Sequence, residues 1–423
     1  MLKKTNAWLW IPTLYFASGL PYHAITSISD IMYKDMGINN AQIAMYTSLL
    51  LIPWTIKPLW SPIVEMISTR RRWTLISQLL LAACFAIIAF AIPSGHFMAL
   101  TLVAFFAGAF VSSTHDIALD GFYILGLSQE KQSFFSGIRN TFYRIATVFS
   151  SGVLVMLAGR LGNTLDNDKF AWSITFAITG IIMLALWLYH TKTMPTPEKD
   201  IPQTTKGLKS IFSNYGDIIK TYFQKPGIIQ AIIFLLLFRF PEAQLGKIGK
   251  LFLMDAADNG GLALDKEEIG LIYGVIGVIG LIIGGIAGGI CISRKGLKYW
   301  LWPMVVAISL PDAVYIYLSS LLADDITAIS SCIFIEQLGY GFGFTAYTLF
   351  MIYFAQGKYP TAHFAISTAF MSLGMMLPGM VAGELQEWMG YKNFFIWVTA
   401  CTLITFIVSA LIKIDPSFGK RSA

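Results

Sequence analysis

The chain has 423 residues, of which 56% are hydrophobic and only 13% are charged, with a formal net charge of +6. Soluble domains usually contain about 45–50% apolar and about 25% charged residues, so a soluble two-domain protein is excluded. The basic residues lie in short loops and form no single patch, which argues against a nucleic-acid partner. The four cysteines lie inside hydrophobic stretches without CxxC spacing, so neither a disulfide framework nor a zinc site is expected.

Long hydrophobic stretches recur from one end of the chain to the other, each closed by a short polar or basic turn. A stretch of about 20 apolar residues crosses a bilayer as a helix, so we predict an all-α polytopic membrane protein with about twelve transmembrane helices. The first stretch follows Lys3 and Lys4 but has no cleavage site, and we interpret it as a span and not as a signal peptide. The predicted spans are 7–30, 40–66, 73–93, 97–126, 132–160, 170–192, 227–254, 267–292, 298–320, 326–355, 361–386 and 392–413.

Basic residues concentrate in alternate loops, as in the turns 70–72 and 294–295, whereas most acidic loop residues fall on the other side. The positive-inside rule then predicts that both termini and the segment 193–226 are cytoplasmic.

The segment 193–226 is the only long polar stretch and divides the spans six and six. We therefore predict an N-terminal six-helix bundle at 1–194, a cytoplasmic linker at 195–226 and a C-terminal six-helix bundle at 227–423. Apolar residues at helical spacing within the linker predict an amphipathic helix on the inner membrane surface. These residues are Leu208, Ile211, Phe212, Tyr215, Ile219 and Tyr222.

The two halves resemble each other. Pro21 and Pro241 are offset by 220 positions, as are Asp116 and Glu336. Two six-helix halves repeated in parallel are the arrangement of the major facilitator fold.

The fourth span carries the strongest candidate site. Ser112, Ser113, Asp116, Asp120 and Tyr123 fall on one helical face. Asp116 lies about ten residues, or ~15 Å, from the cytoplasmic end of its span, which is near the membrane midplane. Two carboxyl groups one turn apart push each other's proton affinity apart, so we predict that Asp116 and Asp120 couple transport to protons. The alternative is a structural pair neutralised by an arginine of a neighbouring helix.

The fifth span contains Arg139 and Arg144, which lie on different faces. One of them is expected to pair with Asp116 or Asp120, and the other to reach the inner surface. We favour Arg144 as the partner because Gly137 and Asn140 share its face and leave room beside it.

The seventh span combines Arg239, Glu242 and Lys250 on one face with Pro241, which interrupts the helical hydrogen bonds. A kinked helix with this much positive charge suits an anionic group on a solute, although Arg239 and Glu242 are equally consistent with a structural ion pair.

The tenth span places Glu336, Tyr340 and Tyr347 on one face, where they suit sugar hydroxyl groups or a proton. Trp60 is a candidate for contact with a sugar ring. Asp312, which follows Pro311, is a further candidate, and His115 is interpreted first as a hydrogen-bonded packing residue.

The eighth span is rich in glycine, which lets membrane helices approach closely. It lacks the strand and helix context of a nucleotide-binding loop, so we expect no cofactor. The glycines are Gly270, Gly274, Gly277, Gly280, Gly284 and Gly288.

Five motifs resemble the AmpG muropeptide permease family, and acetyl-CoA transporters are more distantly similar. The motifs are FASGLP at 16–21, KPLWSP at 57–62, RRRW at 70–73, DIALD at 116–120 and FIE at 334–336, followed by Gly341 and Gly343. The resemblance implies a proton-driven major facilitator in an inner membrane that imports amino-sugar fragments of the cell wall.

The family's functional residues fall on Asp116, Asp120, Arg144, the pair Arg239 and Glu242, and Glu336. This chain differs from the muropeptide members at Tyr123 and Leu125, where they usually have a lysine and an aspartate.

We therefore predict a proton-coupled importer that works by alternating access, with no metal and no enzymatic activity. Asp116, Asp120, Arg144 and Glu336 are assigned to proton coupling. Its partners are a small amino-sugar solute, protons and the lipid bilayer, and we expect a monomer. The alternative solute is a neutral disaccharide or oligosaccharide.

An integral membrane enzyme that binds metal at His115, Asp116 and Asp120 is disfavoured, because His115 points about 100° away from Asp116 on an ideal helix. The residues assigned to the solute are Arg239, Glu242, Lys250, Tyr340, Tyr347, Tyr123 and Trp60.

Overall fold

The computed structural model describes residues 6–61, 64, 67–127, 129–198, 200–201, 208–322 and 324–420, and it leaves the side chains of 129–134, 136–137, 208–214 and 361 undescribed. Helices account for most of the described chain, and no described residue lies in a strand. The predicted all-α fold is confirmed.

In the first half of the chain, two of the membrane helices contain short π-helical segments. The helices are α1 (Ile11–His23), a π segment (Ala24–Ile28), α2 (Ser29–Asp35), α3 (Asn40–Leu49), α4 (Ile52–Ile56), α5 (Arg70–Ala91), α6 (Phe97–Gly126), α7 (Gln129–Val148), a π segment (Phe149–Leu154), α8 (Val155–Leu165) and α9 (Asp168–Thr193). The first predicted span is thus helical in three consecutive pieces. Pro21, which lacks a helical hydrogen-bond donor, lies inside α1, three residues before the π segment begins at Ala24.

The second half begins with the linker helix. Its helices are α10 (Leu208–Phe223), α11 (Ile228–Leu237), α12 (Phe240–Met254), α13 (Lys266–Ile269), a π segment (Gly270–Gly277), α14 (Val278–Lys295), α15 (Leu297–Ser309), a 3₁₀ turn (Leu310–Ala313), α16 (Val314–Leu321), α17 (Ile326–Ala355), α18 (Pro360–Met389) and α19 (Tyr391–Leu411).

Ten helical segments within the described residues are long and apolar enough to cross a membrane. They correspond to the third to twelfth predicted spans, and two of them, Phe97–Gly126 and Ile326–Ala355, have the predicted bounds. The end of the second predicted span at 65–66 lies outside the described residues.

Packing divides the chain into two compact units. Unit 1 contains Met1–Met36 and Ile56–Ile211, and unit 2 contains Gly37–Thr55 and Phe212–Ala423. Helix α3 therefore belongs to unit 2 by its contacts, although we assigned it to the N-terminal bundle. Asn40 of α3 donates from Nδ2 to Gln386 Oε1 at 2.6 Å and to the Tyr391 hydroxyl at 2.7 Å. The predicted boundaries of the bundles stay a prediction.

Glycines set the spacing of α14 and α17. A Cβ atom on Gly284 would lie 2.0 Å from the Leu338 carbonyl oxygen, and one on Gly341 would lie 2.2 Å from that of Leu281. These contacts exclude any side chain, so the prediction that the glycine-rich span allows close helix approach is confirmed here.

The described contacts hold the linker at its two ends. In unit 1, the Asp200 carboxylate accepts hydrogen bonds from the backbone N–H groups of Arg70 and Arg71 at 2.8 and 2.9 Å, and so caps α5. In unit 2, Lys225 Nζ donates to the carbonyl oxygens of Phe354 and Gln356 at the end of α17. The predicted linker helix is present as α10, and the apolar face assigned to Leu208, Ile211 and Phe212 lies outside the described side chains.

Candidate functional site

The acidic pair of α6 lies in unit 1. Asp116 Oδ1 accepts a hydrogen bond from the Ser18 hydroxyl of α1 at 2.7 Å, and Asp116 is half-buried. Asp120 lies one turn further along α6, and 56% of its side chain is exposed. One carboxyl group is therefore held by a hydroxyl, and the other is accessible.

Asp120 forms its ion pair with Arg139 of α7. Arg139 Nη1 lies 3.7 Å from Asp120 Oδ1 and donates to the Tyr15 hydroxyl at 3.2 Å, and that hydroxyl donates to Asp120 Oδ1 at 3.3 Å. The guanidinium carbon lies 5.2 Å from the ring centres of both Tyr15 and Tyr123. The faces of both rings therefore attract the Arg139 guanidinium through cation–π interactions.

This ion pair involves the arginine that we did not favour. We favoured Arg144 as the partner of Asp116 and Asp120, but Asp120 pairs with Arg139, whose guanidinium lies against two tyrosine rings. Arg144 is half-buried on the same helix, and its predicted role stays a prediction.

Trp60 is half-buried in unit 1. Its ring centre lies 5.4 Å from that of Phe110, and its Nε1 donates to the Thr114 hydroxyl at 3.3 Å. Part of the ring therefore packs within the unit, and its predicted contact with a sugar stays a prediction.

His115 belongs to a buried polar chain of four helices. Its Nε2 lies 3.1 Å from Gln78 Nε2, Gln78 Oε1 lies 3.0 Å from His190 Nδ1, and His190 Nε2 lies 2.9 Å from the Thr13 hydroxyl. Both histidines are fully buried. This arrangement fits the interpretation of His115 as a hydrogen-bonded packing residue.

Unit 2 brings three carboxyl groups from separate parts of the chain together, and we call Glu242, Asp312 and Glu336 the carboxyl triad. One carboxylate oxygen of each lies within 4.8 Å of those of the other two. All three residues are buried, with exposed fractions of 8%, 2% and 3%.

Two prolines explain the position of two of these acids. Helix α11 ends at Leu237 and α12 begins at Phe240, with Pro241 in its first turn, where a missing N–H group costs nothing. Glu242 follows in that first turn, where the helix dipole favours a negative charge. In the same way Pro311 opens the 3₁₀ turn that contains Asp312. The structure thus assigns Asp312, which our list of site residues omits, to the same cluster as Glu242 and Glu336. Its signal in the sequence is an acid directly after a proline inside a membrane span.

Arg239 lies next to the triad at the start of α12. Its Nη2 donates to the Tyr340 hydroxyl, and its guanidinium carbon lies 5.3 Å from the ring centre of Tyr340 and 4.8 Å from that of Phe344. Arg239 is 8% exposed and interacts electrostatically with Glu242. The structure therefore brings together Arg239 and Glu242 of the seventh span and Tyr340 of the tenth, and their predicted role in binding the solute stays a prediction.

Tyr347 is adjacent to this group, because its ring stacks on that of Phe344 with 5.9 Å between the ring centres. It is completely buried, its ring stacks on Phe238 at 5.2 Å, and its hydroxyl donates to the Leu235 carbonyl at 2.6 Å. That carbonyl is in the last turn of α11, where helix carbonyl groups need outside donors. The ring and the hydroxyl of Tyr347 both make contacts inside the core, and its predicted contact with the solute stays a prediction. Lys250, by contrast, is a buried residue of α12 about 12 Å beyond Glu242 along the helix axis.

Residues 13–383 match the profile described as "Major Facilitator Superfamily". The chain belongs to the Major Facilitator Superfamily. The predicted fold is confirmed, and because the family members and relatives are transporters and permeases, the prediction that the chain is not an enzyme is confirmed as well.

Known relatives cover most of the chain. It is 26% identical to "Putative transporter AmpG 4" of Rickettsia conorii, over 92% of either chain. It is 24% identical to "Anhydromuropeptide permease" of Escherichia coli K12, over 92% of this chain and 76% of the permease. The resemblance to AmpG permeases is confirmed.

Solved structures resemble the chain in fold. The nucleoside transporter NupG (D323A mutant) matches with a TM-score of 0.71 and 17% identity, over 96% of this chain and all of that one. Membership of the superfamily and the relatives named as transporters and permeases make the chain a multi-pass membrane transporter of a small-molecule solute.

Proposed function

We propose that the chain is a proton-coupled importer of anionic amino-sugar compounds of the anhydro-muropeptide type. The observation that carries the proposal is an arginine set in each unit: a guanidinium on two aromatic rings, hydrogen-bonded to a tyrosine and next to an acid. In unit 1, Arg139 is hydrogen-bonded to Tyr15 and lies next to Asp120. In unit 2, Arg239 is hydrogen-bonded to Tyr340 and lies next to Glu242. The relatives named AmpG and anhydromuropeptide permease support the same solute class.

The chemistry of these sets fits a solute with both charge and sugar hydroxyl groups. A guanidinium binds a carboxylate through two parallel hydrogen bonds and keeps its charge at every relevant pH. Tyrosine adds a large apolar face and a hydroxyl that donates or accepts. A neutral disaccharide would use only the tyrosine contacts and would leave the two guanidinium groups without a charged partner on the solute, so we favour the anionic solute.

Proton coupling requires acids that change charge during the cycle. Asp116, Asp120 and Glu336 are the proposed proton carriers, with Arg144 as a further charged partner. A proton on Asp120 would weaken its attraction for Arg139, and Arg139 would then be available to a solute carboxylate. Alternating access of the solute to either side of the membrane completes the cycle.

We also propose that the protein lies in the inner membrane as a monomer, with both termini in the cytoplasm. The basic loops 70–72 and 294–295 support this orientation.

The test is uptake into vesicles that contain the full chain. Labelled anhydro-muropeptide is expected to accumulate when the interior is alkaline, and a protonophore is expected to abolish this accumulation. Labelled disaccharides serve as the competing solutes. Uptake that does not respond to the pH gradient would exclude proton coupling, and accumulation of a disaccharide alone would establish the alternative solute.

Variants of the arginine sets test the binding chemistry. Arg139→Gln and Arg239→Gln are each expected to raise the half-saturating solute concentration by about tenfold or more, since each removes a charged contact. Arg160→Gln is the matched control, because Arg160 is an exposed arginine of α8 outside either set.

A further inference from the structure

The carboxyl triad concentrates more negative charge than its surroundings can balance. Glu242, Asp312 and Glu336 are buried, and one oxygen of each lies within 4.8 Å of the others. Like charges at this distance in a buried site strongly disfavour full ionisation. Arg239 next to Glu242 can balance one negative charge, so the neutral state of the cluster contains two protons on three carboxyl groups.

A second observation indicates that a proton belongs here. Oε2 of Glu242 is buried, and no hydrogen-bond donor reaches it among the described residues. A buried carboxylate oxygen without a donor is costly. A proton shared with a neighbouring carboxyl group would supply the missing O–H···O hydrogen bond.

The described residues around the triad favour a proton, and not a metal cation, as the group that balances its negative charge. Gln337 Nε2 donates to Glu336 Oε2 at 2.9 Å. Tyr315 of α16 interacts electrostatically with all three acids and with Tyr273 of the π segment before α14. Arg239 is the cation at the start of α12. A metal cation would have to bind next to this guanidinium, which opposes it by Coulomb repulsion.

We propose that Glu242, Asp312 and Glu336 form one shared proton site, and that its protonation releases Arg239 to bind the anionic solute. This inference rests on the proposed function and assigns the coupling proton to unit 2, in preference to Asp116 and Asp120. When the triad holds an extra proton, its attraction for Arg239 weakens, and the guanidinium can pair with a solute carboxylate. When the solute leaves, Arg239 again attracts the triad, which favours loss of the proton.

The linkage is reciprocal, because a proton that raises solute affinity must bind more tightly when the solute is bound. A solute anion and a proton would therefore move together, as symport requires. The rigid helix starts made by Pro241 and Pro311 keep two of the three acids in place while charge changes.

The proton site is tested without any solute by infrared difference spectroscopy of the full chain in liposomes. The absorption of protonated carboxylic acids is recorded as the pH is raised. The triple variant Glu242→Gln, Asp312→Asn, Glu336→Gln is expected to lose the pH-dependent band of the buried acids. The double variant Asp116→Asn, Asp120→Asn is expected to retain it. The opposite result would overturn the proposal.

Two further measurements complete the test. If the triple variant does not fold, the single variants Glu242→Gln and Glu336→Gln are used, and each is expected to shift the band by at least about one pH unit; an unshifted band in both would overturn the proposal. Replacing choline by sodium at constant pH must leave the band unchanged, since a sodium-dependent change would show that the site binds a metal cation.

Measurements of solute uptake distinguish failure of the shared proton site from failure of the proposed function. Glu336→Gln is expected to lose the accumulation of labelled anhydro-muropeptide that the pH gradient drives, whereas Asp258→Asn, which alters an exposed acid of the same unit, is expected to keep it. If wild type itself ignores the gradient, the proposed function fails and the spectroscopic result stands. If wild type responds and Glu336→Gln still accumulates solute fully, the inference fails.

Discussion

The replacement Asp312→Asn tests the electrostatic coupling within the carboxyl triad. An amide has nearly the shape of a protonated carboxyl group, so the change removes one possible negative charge without opening a cavity. Glu242 and Glu336 then titrate next to a neutral group. The last proton of the cluster is expected to leave at lower pH than in wild type, because one ionised carboxylate instead of two then opposes its loss.

The size of the shift follows from the spacing of the carboxyl oxygens. Two unit charges 4.8 Å apart repel each other by about 3.5 kcal/mol at an effective dielectric constant of about 20. One pH unit corresponds to about 1.4 kcal/mol. Loss of one such repulsion therefore lowers the midpoint for loss of the last proton by about 2.5 pH units.

The assay is the infrared pH titration of the full chain in liposomes. Asp258→Asn is the matched control, because Asp258 is an exposed acid of the same unit and its loss is expected to leave the midpoint unchanged. A shift of less than about half a pH unit in Asp312→Asn, or a shift to higher pH, would refute the argument that the three acids titrate as one group.

Three further predictions concern stability, measured as thermal unfolding in detergent. Gly284→Ala is expected to cost about 1–3 kcal/mol, because its Cβ would meet a carbonyl oxygen of α17 at 2.0 Å, whereas Gly289→Ala has no neighbour within 4 Å and should be neutral or slightly stabilising. Equal melting of the two alanine variants would contradict the close helix contact. Asp200→Ala is expected to cost about 1 kcal/mol, since it uncaps α5, while Glu198→Ala, which alters an exposed neighbour, should have no effect; matching losses would exclude the capping role. Lys225→Met keeps the aliphatic chain but removes the donor to two carbonyl groups at the end of α17, which is expected to cost roughly 1–2 kcal/mol, and an unchanged melting temperature would show that water replaces it.

Hydrophobic length made most of the membrane helices predictable. A bilayer accepts only stretches of a certain length and requires all backbone groups to be paired within the segment, so apolar stretches translate directly into helices. The fourth and tenth spans have the bounds that we predicted from this rule. The grouping of α3 with unit 2 was not predictable in this way, because it depends on contacts such as that of Asn40 with Gln386, which are more than 300 positions apart.

Helical spacing was a poorer guide to the partners of charged groups. It places Arg139 and Arg144 on different faces of α7 but does not identify the face that meets α6. The rings of Tyr15 and Tyr123 decide this, and they come from two other parts of the chain. The partner of the Tyr347 hydroxyl was not predictable either, since it is a backbone carbonyl group at the end of α11.

In each unit, an acid of the fourth span of that half contacts the segment around the proline of its first span, although the contacting residues occupy different positions relative to that proline. In unit 1, Asp116 meets Ser18, which lies three positions before Pro21 in α1. In unit 2, Glu336 lies 220 positions after Asp116 and meets Glu242, which directly follows Pro241, the counterpart of Pro21 at the same offset.

A duplicated bundle would give this pattern, because the first and fourth helices of each half keep the same neighbours. The halves differ in what the contact contains: a hydroxyl meets the acid in unit 1, whereas a second and a third carboxyl group meet it in unit 2. A hydroxyl can satisfy an ionised carboxylate with its own proton, but carboxyl groups facing one another must take a proton from elsewhere. The facing carboxyl groups of unit 2 therefore favour an exchangeable proton, which is why we assign the coupling proton to the triad.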